Sequence, residues 1–313
     1  MQFPFKTVRN RRFDVLGFGT NAVDYLIEVP KYPDFDTKIE LIRYTQAAGG
    51  EIATATVGLS RLGLRTAYAG SFGDDPAGEF GRQSLAAEGV DISLSRTVPG
   101  AKTQIAFIVI DKRNGERTVI WKRDPKLEIS PAAAPIAAVE EASVLHLSPH
   151  DTEACITLAK RAGQCQTIVS IDIDKPFPGI ERLLGFVDVL IASSSFPQDF
   201  TGIADLRRAI ATIADRFGNP IVGVTLGEAG SLFCCQGNFV ETKGFAVPGG
   251  CKDTTGAGDS FRAGFLFGLI SGENIEESAR IANAVAALKC RAIGARTALP
   301  HPEELRSLLT NCH

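Results

Sequence analysis

Short β-branched runs alternate with helix-period stretches along nearly the whole chain, and this alternation restricts the fold more than any other feature. Residues 14–17, 66–69, 143–147, 167–171, 187–191 and 221–225 read as buried strands. Residues 52–62, 76–88, 152–162, 203–217, 260–270 and 275–291 read as helices. Parallel strands need long crossovers, and the helices supply them. The pattern therefore predicts an α/β fold of three layers (α/β/α), with a mostly parallel central sheet covered on both faces. In such sheets ligands bind beyond the carboxyl ends of the strands.

Four further segments do not fit that sheet. Residues 24–29 and 38–44 are β-branched or aromatic and stand beside Pro30 and Pro33, while 103–110 and 117–121 flank Asn114-Gly115. Asn-Gly between alternating strands signals a hairpin, because a type I′ turn needs positive φ at both central residues. These segments predict a small antiparallel β flap, or lid, formed by about residues 24–48 and 101–123. The rest forms one domain over 13–313, preceded by an N-terminal tail at 1–12.

Charge and composition exclude several classes. With 33 Lys and Arg against 36 Asp and Glu the net charge is −3, and no one-sign block would hold a polyanion, so no nucleic-acid partner is expected. Apolar runs such as 105–110 and 284–288 are too short to span a membrane, and no apolar signal segment follows the basic first residues. A cytoplasmic protein is expected. Seven cysteines without a C-x-x-C pair suggest neither a disulfide framework nor a zinc site. His146, His150, His301 and His313 likewise stand outside any ligand spacing.

The richest chemistry lies in Asp253-Thr254-Thr255-Gly256-Ala257-Gly258-Asp259-Ser260-Phe261, ahead of a helix-period stretch. Small residues leave backbone N–H groups unscreened at a helix N-terminus, where free donors and the macrodipole favour an anion. A carboxylate at Asp259 reaches the same space and could take a proton from an acceptor hydroxyl. A base beside an N–H nest suits phosphoryl transfer, which depends on positioning and on neutralising charge.

That string resembles the C-terminal signature of the ribokinase-like (PfkB) carbohydrate kinases. Gly19-Thr20-Asn21-Ala22-Val23-Asp24 is similar to the family's opening sugar-binding turn, Gly49-Gly50 to its N-terminal signature, and Val224-Thr225-Leu226-Gly227-Glu228-Ala229-Gly230 to its nucleotide loop. Residues 283–288 and Gly294-Ala295 are similar to the segments that close over the adenine and a monovalent cation. The resemblance implies a ribokinase-like fold and an ATP-dependent sugar kinase using Mg2+. It makes Asp259 the base and Gly256, Ala257 and Gly258 the anion hole. Asp24, Gly49, Gly50, Glu51 and Thr54 would face the sugar, and Thr225, Gly227, Gly230 and Asn283 the nucleotide. K+ is implied at Asp253 and Thr255. Asp172 and Asp174 would help hold Mg2+ through water, and Arg117 would reach a phosphate from the lid. A homodimer through the lid is expected, because the 105–110 alternation leaves one lid face needing cover.

Two departures bear on the substrate. Thr54 stands where the family usually has Asn, with Glu51 nearby, and Ser193-Ser194-Ser195-Phe196 replaces the usual Asn-x-x-Glu. The second loss, with residues 115–120 and 169–176, is similar to the ketohexokinase-like branch and favours a ketose such as fructose. Nucleosides and sugar acids are the alternatives. A non-catalytic sugar- or nucleotide-binding protein is a third reading, which retention of Asp259 and the anion hole opposes. Gly17-Phe18-Gly19-Thr20-Asn21-Ala22 also fits the dinucleotide fingerprint of an NAD or FAD oxidoreductase, but that fingerprint requires a helix next, and residues 24–30 are strand-like and end at proline.

Overall fold

The computed structural model describes residues 1–311; Cys312 and His313 lie outside the described residues. Eight strands form the central sheet: β1 (Phe13–Phe18), β4 (Thr66–Ala69), β9 (Ala142–Leu147), β10 (Ile168–Ile173), β11 (Val189–Ser193), β12 (Ile221–Thr225), β13 (Ser231–Cys235) and β14 (Asn238–Thr242). Their order is β14-β13-β12-β11-β10-β9-β1-β4, parallel from β12 to β4 and antiparallel at the β13 and β14 edge.

Period-two alternation divides the core. Leu16, Leu145, Ile171, Leu190 and Val222 point to one face, against α3 (Thr152–Cys165), α4 (Ile180–Leu184) and α6 (Leu206–Phe217). Val15, Val144, Ile191 and Phe233 point to the other, against α1 (Glu51–Arg61), α7 (Ala257–Ser271) and α8 (Ile275–Lys289). Three layers result. The peripheral helices are α2 (Pro76–Ala87), α5 (Ser195–Thr201) and α9 (Pro302–Asn311), and β5 (Ser71–Gly73) pairs with β6 (Arg96–Val98). The first twelve residues hold no strand or helix, yet Phe3 packs edge-on against Phe265 of α7.

Helix boundaries shift where caps intervene. The stretch expected at 203–217 begins at Leu206, because the Asp205 side chain accepts from the Arg208 amide at 2.8 Å. The helix expected from 260 begins at Ala257, directly after Gly256. Strand β10 runs to Ile173, so Asp172 lies within it.

The lid has the order β3-β2-β7-β8, with β2 (Ala22–Val29), β3 (Arg43–Gly49), β7 (Ile105–Asp111) and β8 (Arg117–Lys122). Its β2–β3 and β7–β8 pairs are antiparallel as expected, while the central β2–β7 pair is parallel. Strand β3 occupies 43–49 rather than the expected 38–44. It ends in Ala47, Ala48 and Gly49, residues of low strand propensity, and Gly49 is required there because a Cβ would collide with Asp24 at 2.0 Å. The expected type I′ turn is absent. Only Gly115 has positive φ, at 73°, and Asn114 does not. Asp111 holds the Arg113 amide and guanidinium and the Tyr32 amide, which opens the turn into a five-residue loop.

Candidate active site

A cleft of about 1100 Å³ runs along the carboxyl ends of the central strands, roofed by the inner face of the lid. Asp174, Ser193 and Thr225 line it where β10, β11 and β12 end, as does Thr20, which follows β1. Asp24, Ala106, Ile108, Val119 and Trp121 descend from the lid. The parallel strands therefore set the floor, and β2, β7 and β8 close the space above it.

The turn before α7 forms the centre of the cleft. Gly256 takes a left-handed conformation (φ 77°) that favours glycine, and a Cβ there would meet Ala295 atoms at 2.9–3.0 Å. The conformation opens α7 without any side-chain cap. Ala257 donates its N–H to the Thr254 carbonyl at 3.1 Å. The amides of Gly256, Gly258 and Asp259 find no acceptor among the described residues, so these three, rather than that of Ala257, are the donors left for an anion.

Asp259 stands in the first turn of α7 with its carboxyl in the cleft. Desolvation raises its pKa, while the charges of Arg262, Arg117, Lys289 and Arg296 oppose the shift. A raised carboxyl pKa suits a general base, since the proton taken is held more strongly. Three residues further on, Arg262 pairs with Asp172 at 2.6 Å and donates to the Ile191 carbonyl at 3.0 Å, which ties α7 to the sheet floor. Desolvation brings Asp172 to a pKa of about 7 despite that pairing, and its Oδ2 is buried without a partner among the described residues.

At the other end, Asp24 and Gly50 face the cleft together. A Cβ on Gly50 (φ 92°) would strike the Asn21 and Ala22 backbone at 2.4–2.7 Å, so only glycine lets the start of α1 approach the turn after β1. Burial raises the Asp24 pKa to about 7, partly offset by the positive charge of Arg296. Glu51 lies beside His150 at 3.7 Å. Desolvation and then the repulsion of Asp172, Asp259 and Asp174 push its carboxyl well above the usual range. His150 is held down to about 4 by desolvation and is neutral, so the two do not form an ion pair at neutral pH.

Among the expected site residues, Gly256, Ala257, Gly258, Asp259, Asp24, Gly50, Glu51, Thr225, Gly227, Gly230, Asn283, Arg117, Thr255, Asp172 and Asp174 all line this one cleft. Gly49 and Thr54 stand behind its wall. The Thr54 hydroxyl accepts from Arg296 at 3.4 Å, and Arg296 also donates to the Gly49 carbonyl at 2.6 Å, so these residues hold Arg296 rather than reach a ligand. Asn283 donates to Ser231 and Thr242 at 3.2 and 2.9 Å. Arg117 spans from the lid to the Thr254 hydroxyl at 2.5 Å. Sequence reasoning missed Arg262, Arg296, Trp121, His150 and Lys289; only Arg262 carried a local signal, lying one helical turn beyond Asp259.

The two implied metal ions fare differently. The described residues include no group of three or more His, Cys, Asp or Glu able to hold a metal by themselves. Mg2+ keeps several waters and leans on substrate phosphates, so the unpaired Asp172 oxygen and Asp174 fit it as partners through water. At Asp253 and Thr255 the atoms meant for K+ already have protein partners. Asp253 Oδ1 accepts from the Thr255 amide and hydroxyl, and its Oδ2 from the Gly294 amide.

Comparisons with known proteins identify the family and the fold. Residues 15–302 match the pfkB family carbohydrate kinase. The chain is 27% identical to a nucleoside kinase of Methanothermobacter thermautotrophicus, over 93% of this chain and 94% of that one. It is 30% identical to a fructokinase of Klebsiella pneumoniae, over 85% of this chain and 93% of that one. Its fold superposes on the ribokinase of Arabidopsis thaliana, solved with ribose and ATP, with a TM-score of 0.80 at 24% identity, covering 95% of this chain and 98% of that one.

Proposed function

Because this chain belongs to the pfkB family of carbohydrate kinases, whose members are phosphotransferases acting on sugar hydroxyls, we propose that it moves the γ-phosphoryl group of ATP to a sugar hydroxyl, with Asp259 as base. A ketose such as fructose is the favoured acceptor. The observation that carries the reading is the turn at 256–259, where three unpaired amides and one carboxyl share a cleft with Asp24.

In this mechanism Asp24 accepts hydrogen bonds from two acceptor hydroxyls, a role for which a carboxylate is suited. Asp259 takes the proton of the attacking hydroxyl. The amides of Gly256, Gly258 and Asp259 hold the equatorial oxygens of the transferred group, and the dipole of α7 adds to their effect. Thr225, Gly227 and Gly230 line the nucleotide end beside Asn283. Asp172 and Asp174 would hold Mg2+ through water, and the bound ion would supply neutralisation of phosphate charge. The lid excludes water, so ATP hydrolysis without acceptor is slow.

Support for a ketose comes from the fructokinase relative and from the absence of an Asn-x-x-Glu element at 193–196. A nucleoside acceptor is the second reading. It is favoured by Trp121 and His150, which line the cleft with ring centroids 6.1 Å apart, Phe177 packing on His150 at 5.0 Å, and by the nucleoside kinase relative. ADP formation measured across ketoses, aldoses, 2-keto-3-deoxy acids and nucleosides decides between them; no acceptor-dependent ADP from any class would overturn the kinase reading.

The outer face of the lid bears Phe107 and Ile120, aligned with Tyr25 across β2, β7 and β8. Tyr25 stacks on Phe107 and Tyr44 at 5.2 and 6.0 Å, and this apolar face supports a homodimer through the lid. A cytoplasmic setting accords with the six free cysteines among the described residues. No described helix is long and apolar enough to cross a membrane.

A further inference from the structure

Lys289 is fully buried, and the proposed chemistry has no direct use for it. It is the last residue of α8, where the helix dipole favours a cation. Its ammonium donates to the Asp253 carbonyl at 2.8 Å and lies 3.8 Å from Asp253 Oδ2, both side chains being wholly inaccessible. Asp253 in turn fixes two strips of backbone. Oδ1 holds the amide and hydroxyl of Thr255, at the entry to the anion turn, and Oδ2 holds the amide of Gly294, whose neighbour Ala295 packs on Gly256. One positive charge thus sits at the junction of the 253–256 and 294–295 loops.

We propose that the Lys289 ammonium is a covalently tethered monovalent cation that positions the anion turn, and that this protein therefore needs no K+. An inorganic cation at Asp253 would have to share a dry site with an ammonium already paired to the same carbonyl and carboxylate. Two positive charges would then stand close together in a dry site, and their repulsion opposes the second. Lys289 is a positioning residue: it acts through Asp253 and Thr255 on the amides of Gly256, Gly258 and Asp259.

The activity arm of the test rests on the kinase reading, so a binding arm independent of turnover accompanies it. Wild-type protein is compared in tetramethylammonium, sodium, potassium and ammonium chlorides at equal ionic strength. Both its kcat and its ligand-free melting temperature should be the same in all four. Lys289→Ala should lose about ten- to a hundredfold in kcat, the size of one charge-assisted hydrogen bond lost from the loop. Potassium or ammonium, but not tetramethylammonium, should restore part of that activity and raise the variant's melting temperature. Lys289→Met, which fills the space without charge, should melt near wild type, stay impaired and show no ion response. Activation or thermal stabilisation of the wild type by potassium overturns the proposal, and that arm stands even where a variant does not fold. A folded Lys289→Ala protein that ignores every cation also overturns it. If no acceptor supports turnover, the melting-temperature arms still decide.

Discussion

Replacing Asp24 by Asn should stabilise the ligand-free protein at neutral pH while abolishing acceptor binding. Burial lifts the Asp24 pKa from the usual 3.8 to about 7. Between those values the folded state carries a proton that the unfolded chain has lost, so stability falls as pH rises through about 4 to 7 and then levels. The difference of about 3 units, at 1.36 kcal/mol each, bounds the cost of the ionised group at about 4 kcal/mol. Asn carries no such cost, and Arg296 keeps its bonds to Gly49, Ser84 and Thr54 in the variant. At roughly 2 °C per kcal/mol for a chain of this size, the melting temperature of D24N should exceed wild type by about 4–8 °C at pH 8. At pH 5, already about 1.2 units above the unfolded value, the difference should shrink to about 3 °C, and it should vanish only below about pH 4. Differential scanning calorimetry across that range provides the measurement. A variant less stable than wild type at pH 8, or a difference that does not vary with pH, would refute the reasoning that Asp24 is held in the fold against its solvation.

Asp259→Asn should lower kcat by about 10²–10⁴-fold, as expected for loss of a general base, with no fall in melting temperature. Gly256→Ala must hold a side chain at φ 77° against Ala295, and should lose about 2–4 kcal/mol of stability in urea titration along with most turnover. Sedimentation at micromolar concentration should show a dimer, and Phe107→Glu on the outer lid face should give a folded monomer; a wild-type monomer would contradict the lid contact.

The six parallel strands of the central sheet were legible because they are buried and read as short, mostly apolar runs, whereas the antiparallel edge strands β13 and β14 were not among them, β14 being only partly buried. Boundaries were less legible, since the cap at Asp205 starts its helix three residues inside the periodic stretch and Gly256 starts its own three residues ahead of it. The third lid strand escaped because it ends in Ala47, Ala48 and Gly49, of which Gly49 must lack a side chain to pass Asp24, and small residues carry no strand signal. The anion turn could be read from the chain because all its parts lie within a few residues. Arg296 could not: its contact with Gly49 spans 247 residues, and no local pattern announces it. Lys289 was hidden for a similar reason, as a lysine closing a helix reads as an exposed C-terminal charge until its burial against Asp253 is seen.

The claim on which the rest depends is that residues 256–259 receive the travelling phosphoryl group. A crystal structure with a non-hydrolysable ATP analogue and the acceptor found in the substrate panel tests it most directly. The terminal phosphate should accept from the amides of Gly256, Gly258 and Asp259, with the acceptor hydroxyl hydrogen-bonded to the Asp259 carboxyl. A terminal phosphate seated elsewhere in the cleft, or a hydroxyl out of reach of Asp259, would contradict it.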